Sequence, residues 1–275
     1  MSRVWLITGA NRGLGRAFAK EAVEQGDQVV ACARNIEPAD AFYQQEQVLG
    51  VQLDVTKSEE VKRAVQAGLH HFGHIDILLN NAGFGMSGAF EETSDEELRR
   101  LMETDYFGVA AVTREVIPHM RSQQRGIILN VASQGGLMGF SGSSAYCSAK
   151  FAVVGLSEVL HTELAPFGIQ VSAICPGSFR TDFRDASSLQ QPVSQLEAYK
   201  ATGAHEAAKF LKENNHKQAG DPAKAARFLY QILLRENLPS RILIGESCCT
   251  QVKTDLQNQL REIESYEADS SQTDY

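Results

Sequence analysis

The sequence predicts an α/β fold of the doubly wound kind: a parallel sheet between two helical layers, in a single domain. Three observations predict it. Short apolar runs of strand length alternate with helical patterns along nearly the whole chain. The runs are continuously hydrophobic, as strands covered on both faces must be. A glycine cluster follows the first run and opens the first helix, at the carboxyl end of a strand, where such folds bind ligands.

Taken in order, Val4–Ile7 predicts the first strand, and Leu14, Ala17, Phe18 and Ala22 then recur at helical spacing. Strands are predicted at Gln28–Ala33, Val51–Leu53, Ile75–Asn80, Gly126–Ala132, Ile169–Cys175 and Arg241–Ile244. Helices are predicted over 58–72, behind a start resembling a capping box at Thr56/Ser58, and over 94–123, 145–165 and 221–236. Residues 178–220 carry no strand pattern and mix Phe179, Phe183, Leu189 and Leu196 with polar residues. A stretch this long after a core strand reads as a substrate-binding loop with lid helices. The domain is drawn over 1–262, and the acidic end, 263–275, reads as a frayed tail.

Composition narrows the function. Of the 275 residues, 26 are Lys or Arg and 34 are Asp or Glu, a net charge of −8 that repels phosphate backbones and anionic lipid. Nucleic-acid and membrane binding are therefore not expected. No apolar run approaches the ~18 residues of a membrane span, and the N-terminus shows no leader pattern. Five cysteines in no framework spacing read as reduced thiols, so a cytoplasmic protein is expected. A hydrolase elbow and a P-loop are both missing, and His70/His74 lack a third ligand, so no metal is expected.

The glycine loop is Thr8-Gly9-Ala10-Asn11-Arg12-Gly13-Leu14-Gly15. A helix N-terminus offers unpaired N–H groups and partial positive charge to a pyrophosphate, and glycine lets the backbone come close. NAD-selective sites carry an acid after the second strand, and an Arg accommodates a 2′-phosphate instead. Here Ala33 stands at the acid's place and Arg34 follows, with Arg12 inside the loop as a second partner. The pattern favours NADP(H) over NAD(H).

Further motifs follow in order: Asp54, Asn80-Asn81-Ala82-Gly83, Ser133, Tyr146-Cys147-Ser148-Ala149-Lys150 and Pro176-Gly177. With the glycine loop, this set resembles the short-chain dehydrogenase/reductases of the single-domain branch, over residues 3 to about 245. That branch includes NADP(H)-dependent carbonyl reductases and steroid- or retinol-dehydrogenase-like members. The resemblance implies a Rossmann-type fold, with Ser133, Tyr146 and Lys150 catalytic. Tyr146 would be general acid for ketone reduction and general base for alcohol oxidation. Ser133 would orient the substrate oxygen, and Lys150 would also bind the nicotinamide ribose. Cofactor contacts are implied for Gly9, Asn11, Arg12, Gly13, Leu14, Gly15, Arg34, Asp54, Val55, Asn81, Gly177 and Thr181, besides Tyr146 and Lys150.

The residues support these roles on their own chemistry. Tyr146 and Lys150 lie four apart on one helix face, where an ammonium lowers a phenol pKa from about 10. Ser133 ends a strand and can donate to an oxygen that gains charge. Phe84, Met86, Gln134, Met138, Phe140, Phe179 and Phe183 are candidate pocket walls, which suggests a lipophilic or aromatic ketone. The expected activity is hydride transfer between NADP(H) and a ketone or secondary alcohol, with reduction favoured. The alternatives are oxidation of steroid- or retinol-like alcohols, or a weakly active NADP(H)-binding redox sensor.

One position departs from the family. Its Asn-x-x-Gly is here Asp105-Tyr106-Phe107-Gly108. An Asp beside Lys150 would stabilise the ammonium and draw it from Tyr146, giving either a relay with altered pH dependence or a slower enzyme. A homo-oligomer is also expected, a tetramer or else a dimer. Val109, Ala110, Val112, Phe151, Val154 and Leu156 are candidates for its apolar centre.

Overall fold

Val4–Thr8 (β1) is buried at every position because strands flank it on both sides. The computed structural model describes residues 2–274. Its strands are β1, β2 (Gln28–Ala33), β3 (Val48–Gln52), β4 (Ile77–Asn80), β5 (Gly85–Met86), β6 (Gly126–Val131), β7 (Ile169–Pro176), β8 (Leu189–Gln190) and β9 (Arg241–Ile244). Its helices are α1 (Gly13–Glu24), α2 (Ser58–Phe72), α3 (Asp95–Met102), α4 (Gly108–Gln123), α5 (Ser144–Glu163), α6 (Gly203–Glu213), α7 (Pro222–Ile232) and α8 (Glu246–Ser270). Seven strands form a parallel sheet in the order β3-β2-β1-β4-β6-β7-β9. The chain runs outward from β1 to β3 and restarts at β4, so the winding reverses between β1 and β4, the position at which folds of this kind bind ligands.

Each sheet face has its own apolar layer. Phe18 of α1 and Leu229 of α7 pack with Trp5, Ile7 and Leu129 on one face. Val61 and Val65 of α2, and Val112, Val116 and Met120 of α4, pack with Leu6, Val30 and Leu78 on the other. Between β4 and β6 runs a buried polar chain. Asn80 Nδ2 donates to Thr113 Oγ1 and Asn130 Oδ1, both at 2.8 Å, and Asn130 Nδ2 donates to Ser157 Oγ at 3.0 Å. Among the described residues, no helix is long and apolar enough to cross a membrane.

Several expectations need correction. The third strand lies at Val48–Gln52 rather than Val51–Leu53: Gly50 breaks the apolar run, and the Tyr43 ring fills the space its side chain would take. α2 starts without a side-chain cap from Thr56 or Ser58. Instead Asp54 Oδ1 accepts the Thr56 N–H, and Glu60 accepts that of Asp54. The helix expected over 94–123 is two, joined by a π turn at Glu103–Phe107. Residues 178–220 do carry a short strand, β8, paired in parallel with β5. The boundary drawn at 262 falls inside α8, so the acidic end is helical through Ser270 rather than frayed. Val109, Val112 and Val154 are 3%, 0% and 5% exposed and belong to the core, leaving Ala110, Phe151 and Leu156 of the expected oligomer contact at the surface.

Asn130→Ala would take one buried partner each from Asn80 and Ser157, leaving Asn80 bonded only to Thr113 and Ser157 only to the Val153 carbonyl. The cost should be about 1–3 kcal/mol of stability, read as a lower urea midpoint with unchanged slope. An unchanged midpoint would show that the polar chain contributes nothing net.

Candidate active site

β1 and β4 end side by side, and their ends are sewn together. Thr8 Oγ1 accepts from the backbone N–H groups of Asn81 (2.9 Å) and Ala82 (3.0 Å). Asn81 Nδ2 donates to the carbonyls of Thr8 (3.0 Å) and Gly9 (3.1 Å). The Asn81 amide therefore holds the glycine loop itself. Gly9 sits at φ +65°, and a Cβ there would stand 2.9 Å from Asn81 Nδ2. A Cβ on Gly15 would run into the Gly9 carbonyl. Arg12, at the cap of α1, offers no side-chain acceptor, so the first-turn N–H groups remain available to an anion. The Thr181 side chain stands over Gly13, 3.7 Å from where a Cβ would be. The cradle fits a dinucleotide pyrophosphate.

The other expected cofactor contacts are placed as follows. Arg34 is exposed directly after buried Ala33 at the end of β2. Burial raises the Asp54 carboxyl, but Thr56's donors and the charges of Lys57 and Arg34 hold it below the ordinary range. Arg12 donates to Ser187 Oγ at 2.7 Å, so it is engaged by the 178–220 segment. Asn11 is exposed and Leu14 half-buried. Val55 packs against Gly108, and Gly177 leaves room for Cys248 of α8.

β6 delivers Ser133, whose Oγ accepts the Gly135 N–H at 3.0 Å, and α5 delivers Tyr146 and Lys150 on one face. Lys150 Nζ donates to the Val131 carbonyl at 3.1 Å and lies 5.7 Å from the Tyr146 ring centroid. Its nearest charge is Asp105 Oδ2 at 3.0 Å, in an ion pair whose side chains are 6% and 0% exposed. Asp105 Oδ1 accepts the Phe84 N–H at 3.0 Å. The π turn carries Asp105 to this spot. Gly83 must be glycine, because a Cβ there would stand 2.9 Å from Oδ2.

Burial by itself would lower Lys150, but Asp105 and Tyr146 outweigh it and hold the ammonium above its ordinary value. Burial raises Asp105 against the pull of Lys150 and the Phe84 N–H. Tyr146 departs from expectation. Burial raises it more than Lys150 and Ser133 lower it, and Asp105 adds to the rise, so the phenol is held protonated. The lowering expected from Lys150 operates, but a charge shared with Asp105 does not overcome burial.

Beside Tyr146 lie Phe84 and Met86, in a cluster with Leu101 and Ala145. The Phe183 ring is 5.9 Å from that of Tyr146, and Phe140 and Phe183 are 39% and 38% exposed. Met138 packs half-buried with Val109, Leu137 and Val252. Two expected pocket walls are accounted for elsewhere. Gln134 Nε2 donates to Gln251 Oε1 of α8 at 2.6 Å. Phe179 is 9% exposed and packs with Gly220, Gly245 and the α1/α7 core. Sequence reasoning missed Thr8, whose only signal was its place before Gly9. It also missed Glu92, buried at 3% exposure, which accepts from Ala89 N (3.0 Å), Leu196 N (2.7 Å) and His205 (2.8 Å) and so ties the 178–220 segment to the turn before α3.

Comparison with known proteins places this geometry. The family model for short chain dehydrogenases matches residues 3–192. An oxidoreductase of Botryotinia fuckeliana is 39% identical over 89% of both chains. A 3-ketodihydrosphingosine reductase of Bacteroides thetaiotaomicron is 35% identical over 88% of both. The crystal structure of a short-chain dehydrogenase from Streptomyces avermitilis superposes with a TM-score of 0.93 at 37% identity, covering all of both chains. Two structures at 27% identity hold cofactors. One, from Burkholderia phymatum, is in complex with NAD (TM-score 0.81; 94% of this chain, 95% of that one). The other, ElxO, has NADP bound (TM-score 0.72; 88% and 96%).

Asp105→Asn removes an anion that favours the neutral phenol and frees Lys150 to act on it. Tyr146 should therefore titrate at lower pH than in wild type. NMR titration of ring-labelled tyrosine, with Tyr146→Phe to assign the signal, checks this. An unchanged or higher midpoint would contradict the electrostatic account.

Proposed function

The chain belongs to the short-chain dehydrogenase/reductase family and is an oxidoreductase. From that premise we propose that it transfers hydride between NADP(H) and the carbonyl or secondary alcohol of a lipophilic or aromatic substrate, chiefly as a reductase. The observation that carries this reading is half-buried Tyr146 one helical turn from Lys150 on the same face of α5, with the Lys150 Nζ 5.7 Å from its ring; burial and Asp105 hold the phenol above its ordinary pKa. A phenol held neutral is a proton donor in waiting, which suits ketone reduction.

NADPH, when bound, supplies the hydride. The chain does the rest. The Tyr146 hydroxyl gives its proton to the substrate oxygen as that oxygen becomes an alkoxide. Ser133 donates a hydrogen bond to the same oxygen. Lys150 stabilises the tyrosinate left behind, and Asp105 keeps Lys150 charged and in place. The glycine cradle would hold the pyrophosphate, with Asp54 and Val55 near the adenine, and Asn11, Gly177 and Thr181 as further contacts.

Arg34 and the absence of an acid at Ala33 support NADP(H). Arg12 supports it less, since Ser187 already engages its guanidinium. Phe84, Met86 and Phe183 around Tyr146 support an apolar substrate, as does the resemblance to a relative named for reduction of a ketone. Exposed or half-exposed Ala110, Phe151 and Leu156 support a homo-oligomer, a tetramer or else a dimer, through α4 and α5.

Tyr146→Phe should lower kcat on a panel of lipophilic ketones by at least ~100-fold with NADPH affinity kept. Near-normal turnover would sink the mechanism, and no turnover by the wild type would favour the sensor reading. Arg34→Asp should shift preference toward NADH, measured as the ratio of kcat/KM for the two cofactors. A wild-type enzyme that already prefers NADH would overturn the cofactor assignment.

A further inference from the structure

The last four turns of α8 leave the body of the protein. Val252 is buried, whereas every residue from Leu256 to Ser270 is exposed. Local support is confined to exposed side-chain bonds such as Gln259 to Asp255 and Arg261 to Asn258, each worth only about 0.2–0.5 kcal/mol. Free helices of about 12–15 residues are marginal in water. Glu262, Glu264, Glu267 and Asp269 crowd toward its C-terminus, where the last turn holds no basic residue, so the helix dipole opposes them.

One face is nonetheless apolar. Leu256, Leu260 and Ile263, at 48%, 56% and 48% exposure, follow Val252 at spacings of four, four and three. This continues, in solvent, the stripe that α8 buries in the core at Val252. The same face carries a charge at each end of the run. Lys253 lies seven residues before Leu260 and Glu267 seven residues after it. Seven residues are two helical turns, so all three share a stripe.

The arrangement is self-complementary in one orientation only. We propose that the projecting part of α8 pairs antiparallel with α8 of a second copy of this chain, about a two-fold axis beside Leu260. Leu260 then covers its counterpart, Leu256 of each copy packs beside Ile263 of the other, and each Lys253 meets the other copy's Glu267. A parallel pair would set Lys against Lys and Glu against Glu, which costs stability. The contact differs from the α4/α5 surface and bears on the active site, because Gln251, one turn before the stripe, holds Gln134 next to Ser133.

Disulfide trapping at micromolar concentration tests this in the full chain, with half-buried Cys249 replaced by Ser. It reads the α8 contact whether or not other surfaces also hold the copies together. Leu260→Cys should give a covalent dimer on mild oxidation, whereas Ser265→Cys, on the opposite helix face, should not. Mixing Lys253→Cys with Glu267→Cys chains should trap the mixed pair, with neither variant trapping itself. Lys253→Glu should cut trapping at Leu260→Cys several-fold, and adding Glu267→Lys should restore it. Equal trapping at 260 and 265, or none at either, would overturn the pairing and leave the face to another occupant. Self-trapping of Lys253→Cys would overturn the antiparallel orientation.

Discussion

Lys150 carries an ammonium group into a place with almost no water, and much of the structure around it exists to satisfy that charge. A buried charge without partners is severely unfavourable, so the carboxylate of Asp105 and the Val131 carbonyl are conditions for the fold as well as for chemistry. The carboxylate has its own requirements. The helix before it opens into a π turn to bring it inward, the backbone at Gly83 yields its side chain, and the Phe84 N–H turns to meet its second oxygen. One ion pair thus ties α5, the π turn and the end of β4 to a single point. Tyr146 and Ser133 are held around that point.

A second set of hydrogen bonds locates this point in the sheet. Thr8 and Asn81 join the ends of β1 and β4, and Asn80, the neighbour of Asn81, anchors to β6 through Asn130. The glycine cradle and the strand that leads to Ser133 are therefore both registered against the last residues of β4. This is how a site gathered from β1, β4, β6 and α5 keeps its geometry without a covalent tie.

Most of the sheet could be read from the sequence because its inner strands are almost wholly buried and its helices amphipathic. The signals are local and strong in Val4–Ile7, in Ser58–Phe72 and in Arg241–Ile244. The same holds for the glycine loop and for Tyr146 with Lys150, whose spacing and chemistry speak together. What failed depended on contacts across the chain. Phe179 looks like a pocket aromatic until Gly220 and Gly245 are seen to make room for it in the core. Gln134 looks like a pocket polar group until Gln251 arrives from α8. The π turn has no sequence signature, since its residues suit an ordinary helix. For Tyr146 the spacing reports the lowering by Lys150 but says nothing of the burial that outweighs it.

The order of strands also shapes how the chain must fold. The first strand to be synthesised ends up inside the sheet, between β2 and β4, while the last, β9, closes the edge beyond β7. Every pairing in the main sheet is parallel, so each requires a crossover and joins strands far apart in sequence. β7 is nearly all apolar and ends at Pro176, yet its outer edge stays open until residues 241–244 leave the ribosome. During that interval the growing polypeptide carries an unpaired hydrophobic edge, the kind that recruits other strands. Its most hazardous moment in synthesis falls while residues 178–220 are being made.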